Sequence, residues 1–286
     1  MSAGSGLISC RPARSSDTQA VQEFLRTIWD GEDYVPAIWD EWLASNSGTL
    51  VVAEFDQRTA GLGRMRDLGW GEWWLEGLRV DPRLQGHGIA SRVHDYLLDR
   101  WLVETEGLVL RLATHARRQA VRHLCERTGF RHIARLGEFH ALAREGEHGF
   151  HPADGSQLPE DLTPRRDESS VCGRLMDMDW AWACLRSERI GKQARNSLWI
   201  WGNFEGWVIL QQPAPASGEK VLLQAYDVPD ERALEFFSDV RALTTQLGNT
   251  EVRLFGRMDT AQEPYWKRSG WELDPEEDLQ IYERLR

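Results

Sequence analysis

The sequence predicts an α/β (α+β) chain of 286 residues arranged as two tandem domains, and three observations carry that reading. Apolar periodicity switches between two and about 3.6 residues along both halves, so strands alternate with helices. A polar stretch at 146–168, with Pro and Gly, breaks the periodicity on either side and reads as a linker. A short phrase near the end of each half is echoed: Leu124-Cys125-Glu126-Arg127-Thr128-Gly129-Phe130 and Tyr265-Trp266-Lys267-Arg268-Ser269-Gly270-Trp271. The expected organisation is a first domain over 1–145, a linker over 146–168 and a second domain over 169–286.

In the first half, residues 7–10 suggest a strand. Asp17 can cap a helix that puts Ala20, Val21, Phe24, Leu25 and Ile28 on one face. A second helix over 37–44 bears Trp39 and Trp42. Residues 50–55 and 62–68 alternate as a hairpin around Asp56-Gln57-Arg58-Thr59. A strand over 72–80 closes at Asp81-Pro82, and a helix over 88–105 follows with Ile89, Val93, Leu97 and Trp101 at helical spacing. A strand over 108–113, a helix over 119–128 ended by Gly129, and a hairpin of 130–136 with 139–143 complete this half. The second half repeats the plan faintly: a hairpin of 196–201 with 206–211, a strand over 220–226, a helix over 231–247, a strand over 251–255, a helix over 261–269, and strands at 272–273 and 279–284.

Bulk properties exclude several functions. The net charge is −11, about −2 in residues 1–145 and −9 in residues 146–286, so neither half offers a basic field for nucleic acid. No apolar run approaches the length of a membrane span, and the first residues lack the basic flank and apolar core of a secretory signal. Cys10, Cys125, Cys172 and Cys184 show no metal-ligand spacing, so the expectation is a reduced, cytoplasmic protein without a metal.

The chemistry concentrates between the 72–80 strand and the 88–105 helix, in Arg83-Leu84-Gln85-Gly86-His87-Gly88-Ile89-Ala90. Glycine between a strand and a helix lets the backbone approach an anion, and the free N–H groups of the first helical turn point at it. The spacing is neither the dinucleotide G-x-G-x-x-G, because position 91 is Ser, nor a Walker loop, because no Gly-Lys-Ser/Thr follows. The pattern R-x-x-G-x-G, after Leu75-Glu76-Gly77-Leu78-Arg79-Val80-Asp81-Pro82, resembles the acyl-CoA pyrophosphate loop of the GNAT acetyltransferase superfamily, and the element order agrees over nearly all of residues 7–145. The resemblance implies two tandem GNAT-like domains, each a mixed, mostly antiparallel twisted sheet flanked by helices. The second domain is a degenerate copy, because Val228-Pro229-Asp230-Glu231 sets two acids where the diphosphate would sit.

The resemblance also assigns roles. Acetyl-CoA would be the co-substrate, its diphosphate held by Arg83, Gly86, His87, Gly88, Ile89, Ala90 and Ser91. Its pantetheine arm and acetyl oxygen would be gripped by the backbone of Leu78, Arg79 and Val80, with Gly77 suited to a bulge there. Arg83 would either touch phosphate or sit on the rim. The acceptor amine must lose a proton, and Glu76 is the best candidate base, Glu72 the second, and His115 an alternative. The chain departs from the family where a Tyr usually serves the leaving thiolate: aligned on Gly129-Phe130, Cys125 takes that place, Arg118 replaces Asn and Val121 replaces Ala. Cys125 is a candidate proton donor or a small buried hydrophobe. Phe24, Trp29, Tyr34, Trp39 and Trp42 lie where the family places its acceptor lid, or simply form core.

The sequence therefore reads as an acyl-CoA-dependent N-acetyltransferase whose first half is catalytic. It would acetylate a primary amine of a small molecule such as an amino acid, by direct attack on the thioester. A non-catalytic acyl-CoA-binding or regulatory module and a peptide N-terminal acetyltransferase stand as alternatives. The expected partner is the small-molecule amine, with no nucleic acid and no membrane; a monomer and a homodimer are both compatible.

Overall fold

The computed structural model describes residues 6–153, 175–193, 197–213, 220–258 and 262–286. The chain divides into two compact units, one of Met1–Leu112, Ala120–Arg131 and Glu283–Arg286, the other of Ala113–Gln119 and His132–Tyr282. This differs from the contiguous division at 145.

In the first unit, β1 (Ile8–Pro12), α1 (Thr18–Leu25) and α2 (Val35–Ala44) precede the strands β2 (Gly48–Phe55), β3 (Arg58–Gly69) and β4 (Glu72–Val80). Helix α3 (Ile89–Glu104) leads to β5 (Val109–His115), which belongs to this unit up to Leu112, and α4 (Gln119–Arg127) follows, in this unit from Ala120. The sheet order is β1-β2-β3-β4-β5, antiparallel up to β4 and parallel between β4 and β5. The β2–β3 turn is Asp56-Gln57, both left-handed at φ 48° and 66°, the conformation a two-residue hairpin requires. Val21, Phe24, Leu25, Val35, Trp39 and Trp42 pack α1 and α2 onto Leu50, Val52 and Leu62. Three of the lid candidates, Phe24, Trp39 and Trp42, are therefore core. Asp17 does not cap α1; its buried carboxylate instead accepts hydrogen bonds from Arg11 (2.7 and 2.8 Å) and from the Arg14 N–H (2.8 Å). The Arg11 guanidinium and the Arg14 N–H together occupy the carboxylate, which leaves none of it for the first turn of α1.

The last residues complete this unit. The Arg286 N–H donates to Leu108 O at 3.1 Å, the Arg286 guanidinium donates to the carbonyls of Leu102 and Thr105, and Arg284 donates to Thr128 O.

The second unit holds β6 (Arg131–Leu142), β7 (Phe150–Ala153), β8 (Leu175–Asp177), β9 (Trp182–Cys184) and α5 (Ser187–Gln193). It continues with β10 (Leu198–Trp201), β11 (Gly206–Gln211), β12 (Val221–Asp227), α6 (Ala233–Gln246), β13 (Glu251–Arg257), α7 (Glu263–Arg268) and β14 (Glu272–Leu285). The sheet order is β14-β6-β13-β12-β11-β10-β7, with β8 and β9 as a separate pair. Three antiparallel strands, a helix and a parallel strand recur here as β10-β11-β12-α6-β13, the order of β2-β3-β4-α3-β5 in the first unit. Val208, Leu210, Val221, Leu223, Phe236, Phe237, Val240 and Trp266 form its main core.

Several expectations are corrected in this unit. The hairpin expected at 130–143 is one strand, β6, because Gly137 faces Gly256 in an unbroken ladder with β13 and makes no turn. That ladder is what assigns 132–142 to the second unit. The two short strands expected at 272–284 are likewise one, β14. Part of the expected linker is β7, paired with β10 from Phe150↔Trp201 to Ala153↔Leu198; 154–168 lies outside the described residues. Strands β8 and β9 and helix α5 were not anticipated. Cys184 is disulfide-bonded, against the expectation of reduced cysteines, while Cys10 and Cys125 are free. Sequence spacing does not report which thiols meet in space.

Candidate active site

The site is built on β4. Its ladder with β3 pairs Leu62 with Arg79 and Arg64 with Glu76, so Gly77 and Leu78 together oppose Gly63. This is a β-bulge. Gly77 has φ +68°, and a Cβ there would meet the Trp42 ring at 2.6 Å. The pairing of β4 with β5 covers only Glu72–Trp74 with Val109–Arg111. Over Leu75–Val80 the β4 edge away from β3 has no strand partner among the described residues, and Leu78, Arg79 and Val80 lie on that stretch.

The loop after β4 is folded by its own side chains. The buried Asp81 accepts from the Arg83 N–H (3.0 Å), from Nε (3.0 Å) and from Nη2 (2.7 Å). These bonds hold the Asp81 carboxyl below its usual range. Arg83 is exposed, its charge already balanced by Asp81. His87 folds back, Nδ1 lying 3.1 Å from Leu84 O and 3.2 Å from Gln85 O, with its ring edge against Phe55. Gly86 and Gly88 take φ +82° and +83°, and a Cβ on either would project into open space. Gly88 ends the loop as the N-cap of α3, whose first helical bond runs from Arg92 N–H to Gly88 O at 3.0 Å. The N–H groups of Ile89, Ala90 and Ser91 therefore have no intrahelical acceptor, and the helix N-terminus adds a positive potential. Such a cradle suits a diphosphate.

Glu76 sits in a cluster of arginines. Its Oε1 lies 2.8 Å from Arg64 Nη1, and its Oε2 lies 3.6 Å from Arg66 Nη2. Burial raises its carboxyl above the usual range, opposed by Arg66 and Arg64. Arg64 also reaches Ser45 Oγ (3.2 Å) and Ser47 Oγ (3.4 Å) and lies 5.1 Å from the centre of the Trp42 ring. Beyond the bulge, Arg79 makes a bidentate pair with the buried carboxylate of Asp33 (2.7 and 3.1 Å), and its guanidinium lies 4.3 Å from the centre of the Trp29 ring and 5.4 Å from that of Tyr34. Trp29 and Tyr34, unlike the other lid candidates, are exposed. Sequence reasoning missed Asp33, Arg64 and Arg66. The Arg64/Arg66 alternation on one strand face was the available signal.

The other candidates lie apart. Glu72 is 1% exposed and its Oε2 is 2.5 Å from Arg111 Nη1, while Arg111 Nε donates to Glu283 Oε2 at 2.8 Å. Glu72 is thus part of a core ion triad rather than an open carboxylate. Cys125 is buried on α4 and its thiol is pushed up to about 12 by burial. His115 belongs to the second unit, on an open depression of about 300 Å³ with Arg117, Pro275, Glu276 and Asp278. Burial lowers its pKa, and Nδ1 lies 3.7 Å from Glu277 Oε2. Among the described residues no group of His, Cys, Asp or Glu is arranged to hold a metal ion, and no helix is long and apolar enough to cross a membrane.

The fold is thus a mixed α/β sheet architecture with a glycine loop and an open helix N-terminus following a bulged strand. Residues 18–130 match the model of the acetyltransferase (GNAT) family. Solved structures with the same fold include a GCN5-related N-acetyltransferase from Sphaerobacter thermophilus, with TM-score 0.64, 13% identity, and coverage of 97% of this chain and 95% of that one. Another is the GCN5-related glucosamine N-acetyltransferase region of a fungal multi-domain β-N-acetylglucosaminidase, with TM-score 0.67 and 12% identity, covering 98% of this chain and 38% of that one. No curated protein matches the sequence significantly.

Proposed function

We propose that this protein is an N-acetyltransferase that moves an acetyl group from acetyl-CoA to a primary amine of a small molecule, an amino acid or similar. The observation that carries this reading is the joint placement of the Gly86–Gly88 cradle, the open N-terminus of α3 and the unpartnered stretch of β4. In this reading Gly86, His87, Gly88, Ile89, Ala90 and Ser91 present backbone N–H groups to the diphosphate, and Leu78, Arg79 and Val80 hold the pantetheine and the acetyl oxygen. Arg83 stays on the rim, because Asp81 already occupies it.

The bound thioester supplies an activated acetyl carbon. Glu76 accepts the proton of the incoming ammonium, a task suited to a carboxylate whose affinity for protons burial has raised. The neutral amine then attacks directly, without a covalent enzyme intermediate. Cys125 takes no part, because a thiol near 12 holds its proton too tightly to give it to a departing thiolate. The second unit is read as a degenerate copy of the first. Its α6 is preceded by Asp230 and Glu231 and lacks the glycine pair, so it serves as scaffold.

The test is a thiol-release screen of amino acids, polyamines and amino sugars, paired with calorimetric titration of CoA. Wild type and Cys125→Ala should both release thiol with at least one class, and Gly86→Glu should neither bind CoA nor turn over. CoA binding without thiol release for any amine would instead favour a non-catalytic acyl-CoA-binding module.

A further inference from the structure

Resting on the acetyltransferase reading, we infer that the acceptor carries a carboxylate as well as its amine, and that Arg66 is the residue that reads it. Around Glu76 the charges do not balance. Arg64 and Arg66 face one carboxylate, which leaves an excess positive charge in a half-buried cluster. Glu41 acts on the same groups from the exposed face of α2, where solvent screens it.

The two arginines are in different states. Arg64 is 6% exposed and satisfied by Glu76, Ser45 and Ser47. Arg66 is 27% exposed, its Nη2 stands 3.6 Å from Glu76, beyond hydrogen-bond reach, and its buried Nε has no hydrogen-bond partner among the described residues. With Nε unpartnered and Nη2 only loosely paired to Glu76, this guanidinium edge would be completed by a planar anion with two oxygens. Glu76 does not fill that place, because Arg64 already holds one of its oxygens. A carboxylate on the acceptor would. The same excess positive charge makes an approaching ammonium more acidic and so favours the neutral amine that the reaction needs. One small molecule presenting an amine to Glu76 and a carboxylate to Arg66 is an amino acid.

The experiment compares matched sets: alanine with alaninamide and ethylamine, phenylalanine with phenylalaninamide and phenethylamine, glutamate with its α-amide. Each is titrated calorimetrically into the full-length protein saturated with CoA, and each is assayed for thiol release with acetyl-CoA. The amino acid should exceed its amide by at least about tenfold in affinity or kcat/KM in one or more sets. Arg66→Met should bring that ratio towards one through KM, and Arg66→Lys should restore part of it, since charge remains but the fork is lost. An amide that equals its acid, an acid preference untouched by Arg66→Met, or binding of neither probe overturns the inference. Thiol release that ignores the carboxylate would do so while leaving the acetyltransferase reading intact. A carboxylate preference in binding without any thiol release would uphold this inference and overturn the other.

Discussion

Gly77 and Gly88 both hold left-handed backbone, yet replacing them by Ala should fail in opposite ways. At Gly77, φ is +68° and the new Cβ would sit 2.6 Å from two atoms of the buried Trp42 ring. Left-handed backbone costs an L-residue about 1–2 kcal/mol, and forcing a group into a packed core adds about 1–3 kcal/mol. Gly77→Ala should therefore destabilise the first unit by about 2–5 kcal/mol. At Gly88, φ is +83° but nothing lies within 4 Å of the new Cβ, so only the backbone cost of about 1–2 kcal/mol applies. That methyl group would instead occupy space assigned to the diphosphate. CoA affinity of Gly88→Ala should fall roughly tenfold or more, about 1.4 kcal/mol, out of proportion to its small loss of stability. The assays are urea unfolding with amide exchange of β3 and β4 peptides for stability, and calorimetry for CoA. Equal stability losses, or full CoA affinity in Gly88→Ala, would show that the two glycines do not serve packing and diphosphate binding separately.

The remaining predictions concern buried ionisable groups of the first unit. Arg111→Met strips Glu72 and Glu283 of the guanidinium between them. It should cost about 3–5 kcal/mol, seen as a lowered urea midpoint and faster exchange in β5; a change within error would show that the triad does not anchor the unit. His94 is buried, its Nε2 lies 2.9 Å from Thr128 Oγ1, and burial lowers its pKa to about 4. The unfolded chain protonates near 6.5, so between pH 6.5 and about 4 the unfolded state binds one more proton than the native state. Stability from this group is complete above pH 6.5 and lost progressively as pH falls, about 3 kcal/mol in all. His94→Gln should flatten the stability curve in that window relative to wild type; identical curves would count against the assignment.

Much of the first unit was legible in the sequence because its signals are local. The 72–80 strand and the 88–105 helix match β4 (Glu72–Val80) and α3 (Ile89–Glu104) almost to the residue, since Asp81-Pro82 and Gly88 punctuate them chemically. The bulge at Gly77 was likewise readable from a glycine within an otherwise strand-forming run. Gly137 shows the limit: glycine also marks places where strands come close, and only the facing Gly256 distinguishes that from a turn.

The alternation of strands and helices, the glycine loop before α3 and the family match of residues 18–130 were already written in the sequence, because each depends on neighbours within a few positions. Tertiary structure decided the rest. It gave 132–142 to the second unit and the last four residues to the first, withdrew Glu72 into a pair with Arg111, buried Cys125, and set Arg66 beside Glu76 with its Nε unpartnered. The physical reason is that burial, partner choice and local field are sums over residues distant in sequence. A carboxylate becomes a base or a core ion according to which guanidinium reaches it first.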